Sequence, residues 1–209
     1  MTRLYLITPS EFVLDDFMVH LREAFSGGDV ACLQLRMKTA PEEEIIRAAK
    51  AILPLCREFG VQFLLNDYSH LVDITGADGV HIGEEQDGTV RQARKIIGED
   101  KVLGVSCYAS RDRAFRACED GADYVAFGQF YESVTKPPKG RPTPDLLEIW
   151  AETMIIPSVA IGGITPDNLE PIVKAGADFI AVVSGVWQHP DGAKVAVREY
   201  NSRMELCGG

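Results

Sequence analysis

The sequence contains no run of about 20 apolar residues, the length a helix needs to cross the hydrocarbon of a bilayer, so no membrane span is expected. It contains no CxxC pair either. Its five cysteines, Cys32, Cys56, Cys107, Cys118 and Cys207, leave one unpaired. That pattern reads as reduced thiols, mostly small core residues, in a cytoplasmic protein. An excess of positive charge is also missing: 21 Lys and Arg stand against 31 Asp and Glu, for a net charge of −10. Phosphate-backbone binding needs a basic face, so nucleic acid is not expected as a partner. For the same reason an anionic ligand must be held by a local cluster of cations, backbone amides or metal. There is no linker or low-complexity tract. The first strand pattern begins almost at once, with Arg3 the only early charge, so no signal peptide is expected. The 209 residues fit one domain spanning 1–209, a length short of the usual two-domain chain. Oligomeric state is left open, with a homo-oligomer possible.

What the sequence does have is a regular alternation. Strand-like apolar runs are expected at 4–8, 31–36, 62–66, 79–82, 101–106, 124–128, 158–161 and 179–183. Helices are expected at 15–26, from Pro41 through Cys56, and at 69–75, 90–97, 111–119, 143–152, 166–174 and 193–203. Pro41 suits a first helical position, and Glu42, Glu43 and Glu44 suit the first turn, where the helix dipole favours anions. Nearly continuous β-branched strands separated by helices imply a parallel sheet buried on both faces. Eight such units of about 25 residues predict a closed (β/α)8 TIM barrel. The alternative is an open doubly wound sheet. Gly-Ala-Asp occurs at Gly76, Gly121 and Gly176, each time closing a helix before an even-numbered strand. It reads as a structural device, with glycine as a left-handed helix cap. The tail Cys207-Gly208-Gly209 reads as a frayed terminus.

Most of the strand-like runs end in residues that bind or do chemistry. Gln34, Arg36 and Lys38 alternate, so they project from one face at the end of the second strand. Two cations there, with Lys136 from the far side of the ring, suggest a highly charged anion such as pyrophosphate. Asn66 and Asp67 end the third run, and Glu84, Glu85, Gln86 and Asp87 follow the fourth. Carboxylates at neighbouring strand ends suit Mg2+, which takes a few acids, several waters and substrate phosphate oxygens. Gly162-Gly163 and Ser184-Gly185 end the seventh and eighth runs, where barrels commonly hold a phosphate monoester. Ser106 and Thr135 can bond a phosphate oxygen or a ligand amine. Neither has a histidine partner in a nucleophile pattern, so covalent catalysis is not expected. His81 reads as a packed, hydrogen-bonded barrel residue rather than a base. The segment Pro137, Pro138, Lys139, Gly140, Arg141, Pro142 is the one loop-rich stretch, placed to close over the mouth. Two anion sites at one mouth, one of them metal-assisted, suggest two phosphorylated substrates being joined.

The segments LQLRMK, LLNDYSHLVDITGADGVHIG, GVSC, GADYVAFGQFYESVTK, PSVAIGGITPDN and GADFIAVVSGVW, in order, resemble the thiamine phosphate synthase family along nearly the whole chain. The resemblance implies a (β/α)8 barrel and the condensation of hydroxymethylpyrimidine pyrophosphate with a thiazole phosphate. It implies that Gln34, Arg36, Lys38 and Asn66, with Ser106 and Lys136, grip the pyrimidine pyrophosphate. Arg36, Lys38, Ser106 and Lys136 would carry the catalysis. Asp67 would ligate Mg2+, Ser133 and Thr135 would contact the thiazole, and Gly163, Val183 and Ser184 would hold its phosphate.

The chain departs from the family pattern at several positions. Gln86 occupies the position of a second Mg2+ aspartate, with Glu85 and Asp87 beside it as possible substitutes. Tyr68 replaces an arginine, His70 an aspartate and Tyr108 a histidine. The loop after the sixth strand reads Tyr131-Glu132-Ser133, and Glu132 adds a negative charge near the anion site. A thiazole tautomerase-like relative and a non-catalytic binder of thiamine intermediates are the alternative readings.

Overall fold

The computed structural model describes residues 1–83, 89–132 and 141–208. Eight strands form the frame: β1 (Arg3–Ile7), β2 (Cys32–Leu35), β3 (Gln62–Asn66), β4 (Gly79–Ile82), β5 (Val102–Tyr108), β6 (Tyr124–Gly128), β7 (Ser158–Ile161) and β8 (Phe179–Val182). Each pairs in parallel with its sequence neighbour, and β8 pairs with β1, so the sheet closes on itself. The closed order excludes the open doubly wound sheet. Around the barrel lie α1 (Leu14–Phe25), α2 (Glu42–Phe59), α3 (Val72–Thr75), α4 (Val90–Ile97), α5 (Arg111–Glu119), α6 (Pro144–Thr153), α7 (Glu170–Lys174), α8 (Ser184–Trp187) and α9 (Ala193–Gly208). None of the described helices is long and apolar enough to cross a membrane.

Strand alternation divides the apolar residues into two cores. One parity, with Leu4, Leu33, Phe63 and Val125, packs outward against the helices. The other, with Tyr5, Cys32, Leu64, Tyr124, Val159 and Ala181, fills the barrel interior. Both faces of each strand are therefore dry, which is why the runs read as continuous rather than alternating. Tyr124 is large for so narrow a lumen. Gly104 on the adjacent strand accommodates it, because a Cβ there would lie 1.9 Å from Tyr124 Cζ.

The Gly-Ala-Asp repeat has a hydrogen-bonding explanation in full. The glycines at 76, 121 and 176 take positive φ and end the helices. The alanine N–H then reaches back five residues, from Ala77 to Val72, Ala122 to Ala117 and Ala177 to Ile172. That is the Schellman closure. The aspartate carboxylate accepts a backbone N–H from the preceding odd strand: Phe63 to Asp78 and Ser158 to Asp178 at 2.8 Å, and Leu103 to Asp123 at 2.7 Å. One tripeptide thus ends a helix and ties two strands at the bottom of the barrel. Arg94 reinforces the same end. Buried on α4, it donates to the carbonyls of Gly98, Lys101 and Gly121 and to Asp123.

Five regions differ from the sequence expectation. Residues 69–75 form a 3-10 turn (Ser69–Leu71) followed by a single helical turn. The seventh helix starts at Glu170 rather than Pro166, because Asn168 turns back and accepts the Thr165 N–H at 2.8 Å. A short helix, α8, begins directly after β8. The final helix runs to Gly208, so the expected frayed end is helical through that residue. Pro41 sits one position earlier than expected, as the N-cap of α2.

Candidate functional site

The functional side chains predicted from sequence and present among the described residues all lie at the C-terminal ends of the strands. Gln34 is buried near the end of β2, with Arg36 and Lys38 just beyond it, both half-buried. The backbone here is fixed by Thr8, which follows β1 and is fully buried. Its N–H donates to the Gln34 carbonyl at 3.0 Å, and its hydroxyl accepts the Arg36 N–H at 2.9 Å. Sequence reasoning missed Thr8; its signal was a lone hydroxyl directly after the apolar run Leu4–Ile7. Among the described residues neither Arg36 nor Lys38 is in an ion pair. Burial pushes the Arg36 guanidinium down from its ordinary value, and the Asp67 charge partly counters this. Half-buried cations with no ion-pair partner among the described residues can receive an anion.

Asn66 ends β3, and Asp67 follows it, buried in an acidic chain. Its backbone is held in the left-handed region at φ 58°, and Tyr68 beside it at φ 55°. Two consecutive non-glycine residues in that region store strain, and such strain gathers at functional sites. Hydrogen bonds impose it: the Asp67 N–H donates to the His81 carbonyl at 2.8 Å, and the Asn66 amide donates to Asp67 Oδ2 at 2.6 Å. Among the described residues Oδ1 receives one hydrogen bond, a long one of 3.3 Å from the Gly83 N–H. That oxygen keeps lone pairs available, which fits a hard divalent cation held by one carboxylate, waters and phosphate oxygens. Among the described residues no group of three or more His, Cys, Asp or Glu is placed to hold a metal. The second predicted ligand, Gln86, lies outside the described residues, as do Glu85 and Asp87.

Ser106 lies within β5, where the register to β6 shifts between Ser106 and Tyr108. Contrary to the sequence expectation, Ser106 does have a histidine partner, because β4 and β5 are neighbours: its hydroxyl is 2.8 Å from His81 Nε2, and His81 Nδ1 is 2.9 Å from the Tyr124 hydroxyl. Burial, and then the charge of Lys38, lowers the imidazole to about 4, so it is neutral near pH 7. His81 is therefore the packed, hydrogen-bonded residue expected of it. Arg113 donates to the Ser106 carbonyl at 2.8 Å and lies over the Tyr108 ring.

Across the mouth, Gly162 and Gly163 follow β7 with φ 106° and 64°. They face protein as well as the mouth. A Cβ on Gly162 would lie 2.4 Å from Gln129 Cγ, and one on Gly163 2.4 Å from the Glu132 carbonyl oxygen. The turn is braced by Asn168, which donates to the Gly163 carbonyl at 3.0 Å, and by Tyr131, whose hydroxyl donates to the Asn168 carbonyl at 2.8 Å. Sequence reasoning missed this brace. Val183 packs against the interior core and caps α8, and Ser184 opens that helix. The Glu132 side chain is exposed and lies 3.5 Å from Arg141, whose positive charge offsets its own. Ser133, Thr135 and Lys136 lie outside the described residues.

A closed parallel barrel that collects cations, a buried carboxylate and glycine turns at the C-terminal ends of its strands is built as barrel enzymes are. The chain belongs to the thiamine monophosphate synthase family, a family of transferases, whose family model matches residues 4–186. It is 49% identical over 202 residues to a thiamine-phosphate synthase of Rhodospirillum centenum, covering 97% of both chains. It is 47% identical over 209 residues to one from Hyphomonas neptunium, covering 98% of this chain and 94% of that one. Its fold matches the solved structure of a thiamine phosphate pyrophosphorylase from Pyrococcus furiosus with a TM-score of 0.85, at 31% identity over 99% of this chain and 97% of that one.

Proposed function

We propose that this protein is a thiamine-phosphate synthase. It joins a hydroxymethylpyrimidine pyrophosphate to a thiazole phosphate and releases pyrophosphate. The observation that supports this reading best is the pair Arg36 and Lys38, half-buried and in no ion pair among the described residues, beside the buried Asp67. The relatives named thiamine-phosphate synthase supply the chemistry.

In this reading the pyrophosphate seats against Arg36 and Lys38, with Ser106 and Lys136 completing its contacts. Gln34 and Asn66 present fixed amides to the pyrimidine. The methylene C–O bond breaks with its electron pair leaving on pyrophosphate, and the cations neutralise that developing charge. The thiazole nitrogen then donates its lone pair to the methylene carbon and forms the C–N bond. The turn at Gly163, with Val183 and Ser184, holds the thiazole phosphate so that this nitrogen faces the carbon. Mg2+ bound at Asp67, with Gln86, Glu85 or Asp87 as the further ligand, would add Lewis-acid charge neutralisation at the pyrophosphate. Ser133 and Thr135 would contact the thiazole.

Removal of one such cation is expected to cost about 100-fold or more in kcat/KM. The test is Arg36→Ala, assayed for thiamine phosphate formation alongside a circular dichroism melt. A folded variant with wild-type kcat/KM would overturn the placement of the pyrophosphate.

A further inference from the structure

The interior of the barrel carries a line of hydrogen bonds that the proposed chemistry does not use. Tyr5 and Tyr124 hydroxyls are 2.9 Å apart, the Tyr124 hydroxyl is 2.9 Å from His81 Nδ1, and His81 Nε2 is 2.8 Å from Ser106 Oγ. Tyr5, Tyr124 and His81 are buried, so water does not compete for these groups. The rings are mutually fixed: Tyr5 and Tyr124 meet edge to face at 6.1 Å, and His81 stacks on Tyr124 at 5.6 Å. Gly104 is required for Tyr124 to stand there at all. The Cys32 thiol, a weak donor and weak acceptor, lies against Tyr5 at the closed end of the line.

Hydrogen counting leaves two complete arrangements. Each hydroxyl has one proton, and a neutral imidazole has one N–H. In the first, Tyr5 donates to Tyr124, Tyr124 donates to Nδ1, and Nε2–H donates to Ser106, whose own proton is then free for a ligand. In the second, every bond is reversed: Ser106 donates into the barrel and presents only lone pairs to the mouth. An anion at the mouth can be bonded by Ser106 only in the first arrangement.

We infer that Tyr5, Tyr124 and His81 form a positioning chain that, when pyrophosphate is bound, holds His81 as its Nε2–H tautomer and so commits the Ser106 proton to that anion. This rests on the site reading above, in which Ser106 faces pyrophosphate. None of the three residues need touch substrate. They act through Ser106 alone, which makes their effect separable from general packing.

The experiment uses the full chain with inorganic pyrophosphate and Mg2+. The 15N spectrum of the histidines, with His81→Asn to assign the His81 signals, reads the tautomer directly. Protonated Nε2 and bare Nδ1 are expected in the bound state. Protonated Nδ1, or both nitrogens protonated, overturns the inference. Calorimetry on a double-mutant cycle supplies the second readout. Tyr124→Phe is expected to weaken pyrophosphate binding about five- to tenfold in the wild-type background, the worth of one hydrogen bond, and to change nothing in a Ser106→Ala background. Equal losses in both backgrounds would show that Tyr124 acts by packing and would overturn the chain. Failure of the unmodified protein to bind pyrophosphate would instead overturn the site reading, and the inference with it.

Discussion

His81 links the stability of the barrel to pH, and the sign and size follow from its surroundings. Its imidazole is held down from the ordinary 6.5 to about 4 by burial, with the Lys38 charge adding to the effect. In the unfolded chain it takes up a proton as pH falls through 6.5, while the folded protein does not until about 4. Between those values the unfolded state binds more protons, so stability falls as pH falls. One pKa unit corresponds to about 1.4 kcal/mol, which puts the full His81 contribution at about 3 kcal/mol. It is present above pH 6.5 and lost by about pH 4. Urea unfolding from pH 7.5 down to pH 4 would measure it, in the wild type and in His81→Gln. Carboxylates and the other histidines titrate in both proteins and cancel in the difference. The wild type should therefore lose about 3 kcal/mol more than the variant across that window. In Lys38→Met the difference should shrink, because the nearby cation is gone. A difference that stays flat with pH would refute the account of a neutral, desolvated His81.

Other substitutions probe the frame around the site. Arg94→Ala leaves the carbonyls of Gly98, Lys101 and Gly121 without their donor and half-exposed Asp123 without its cation, and it should cost about 2–3 kcal/mol by chemical denaturation, most of it from the unsatisfied carbonyls. Gly104→Ala forces a methyl into the Tyr124 ring and should destabilise by about 3 kcal/mol or more, or prevent soluble expression. Gly163→Ala combines a left-handed φ with a clash at the Glu132 carbonyl. It should weaken thiazole phosphate binding in calorimetry more than it weakens pyrophosphate binding.

Much of the barrel was legible because its strands are punctuated. The bounds of β3, β4, β6 and β7 match the expected runs residue for residue. These are β-branched or aromatic segments closed on both sides by polar or glycine residues. The short helices α3, α7 and α8 were poorly legible, because a single turn is fixed by contacts such as the Asn168 side chain rather than by periodicity. Within the site, Gln34, Asn66, Asp67 and Ser106 were visible as polar residues ending apolar runs. The Tyr5–Tyr124–His81 line was not. Its first two members are separated by 119 residues, and period-two alternation says which face a side chain takes but not which partner stands at the same height across the lumen. Arg94 was hidden for a related reason. On a helix pattern it reads as a solvated charge, and only the closed barrel brings three carbonyls and Asp123 around it.

The most direct test of the central claim is thiamine phosphate formation by the purified protein, supplied with hydroxymethylpyrimidine pyrophosphate and thiazole phosphate, in Mg2+ and in EDTA. The account predicts thiamine phosphate and one equivalent of pyrophosphate in Mg2+, and loss of both in EDTA. No product in Mg2+, with the thiazole phosphate still bound in a calorimeter, would contradict it.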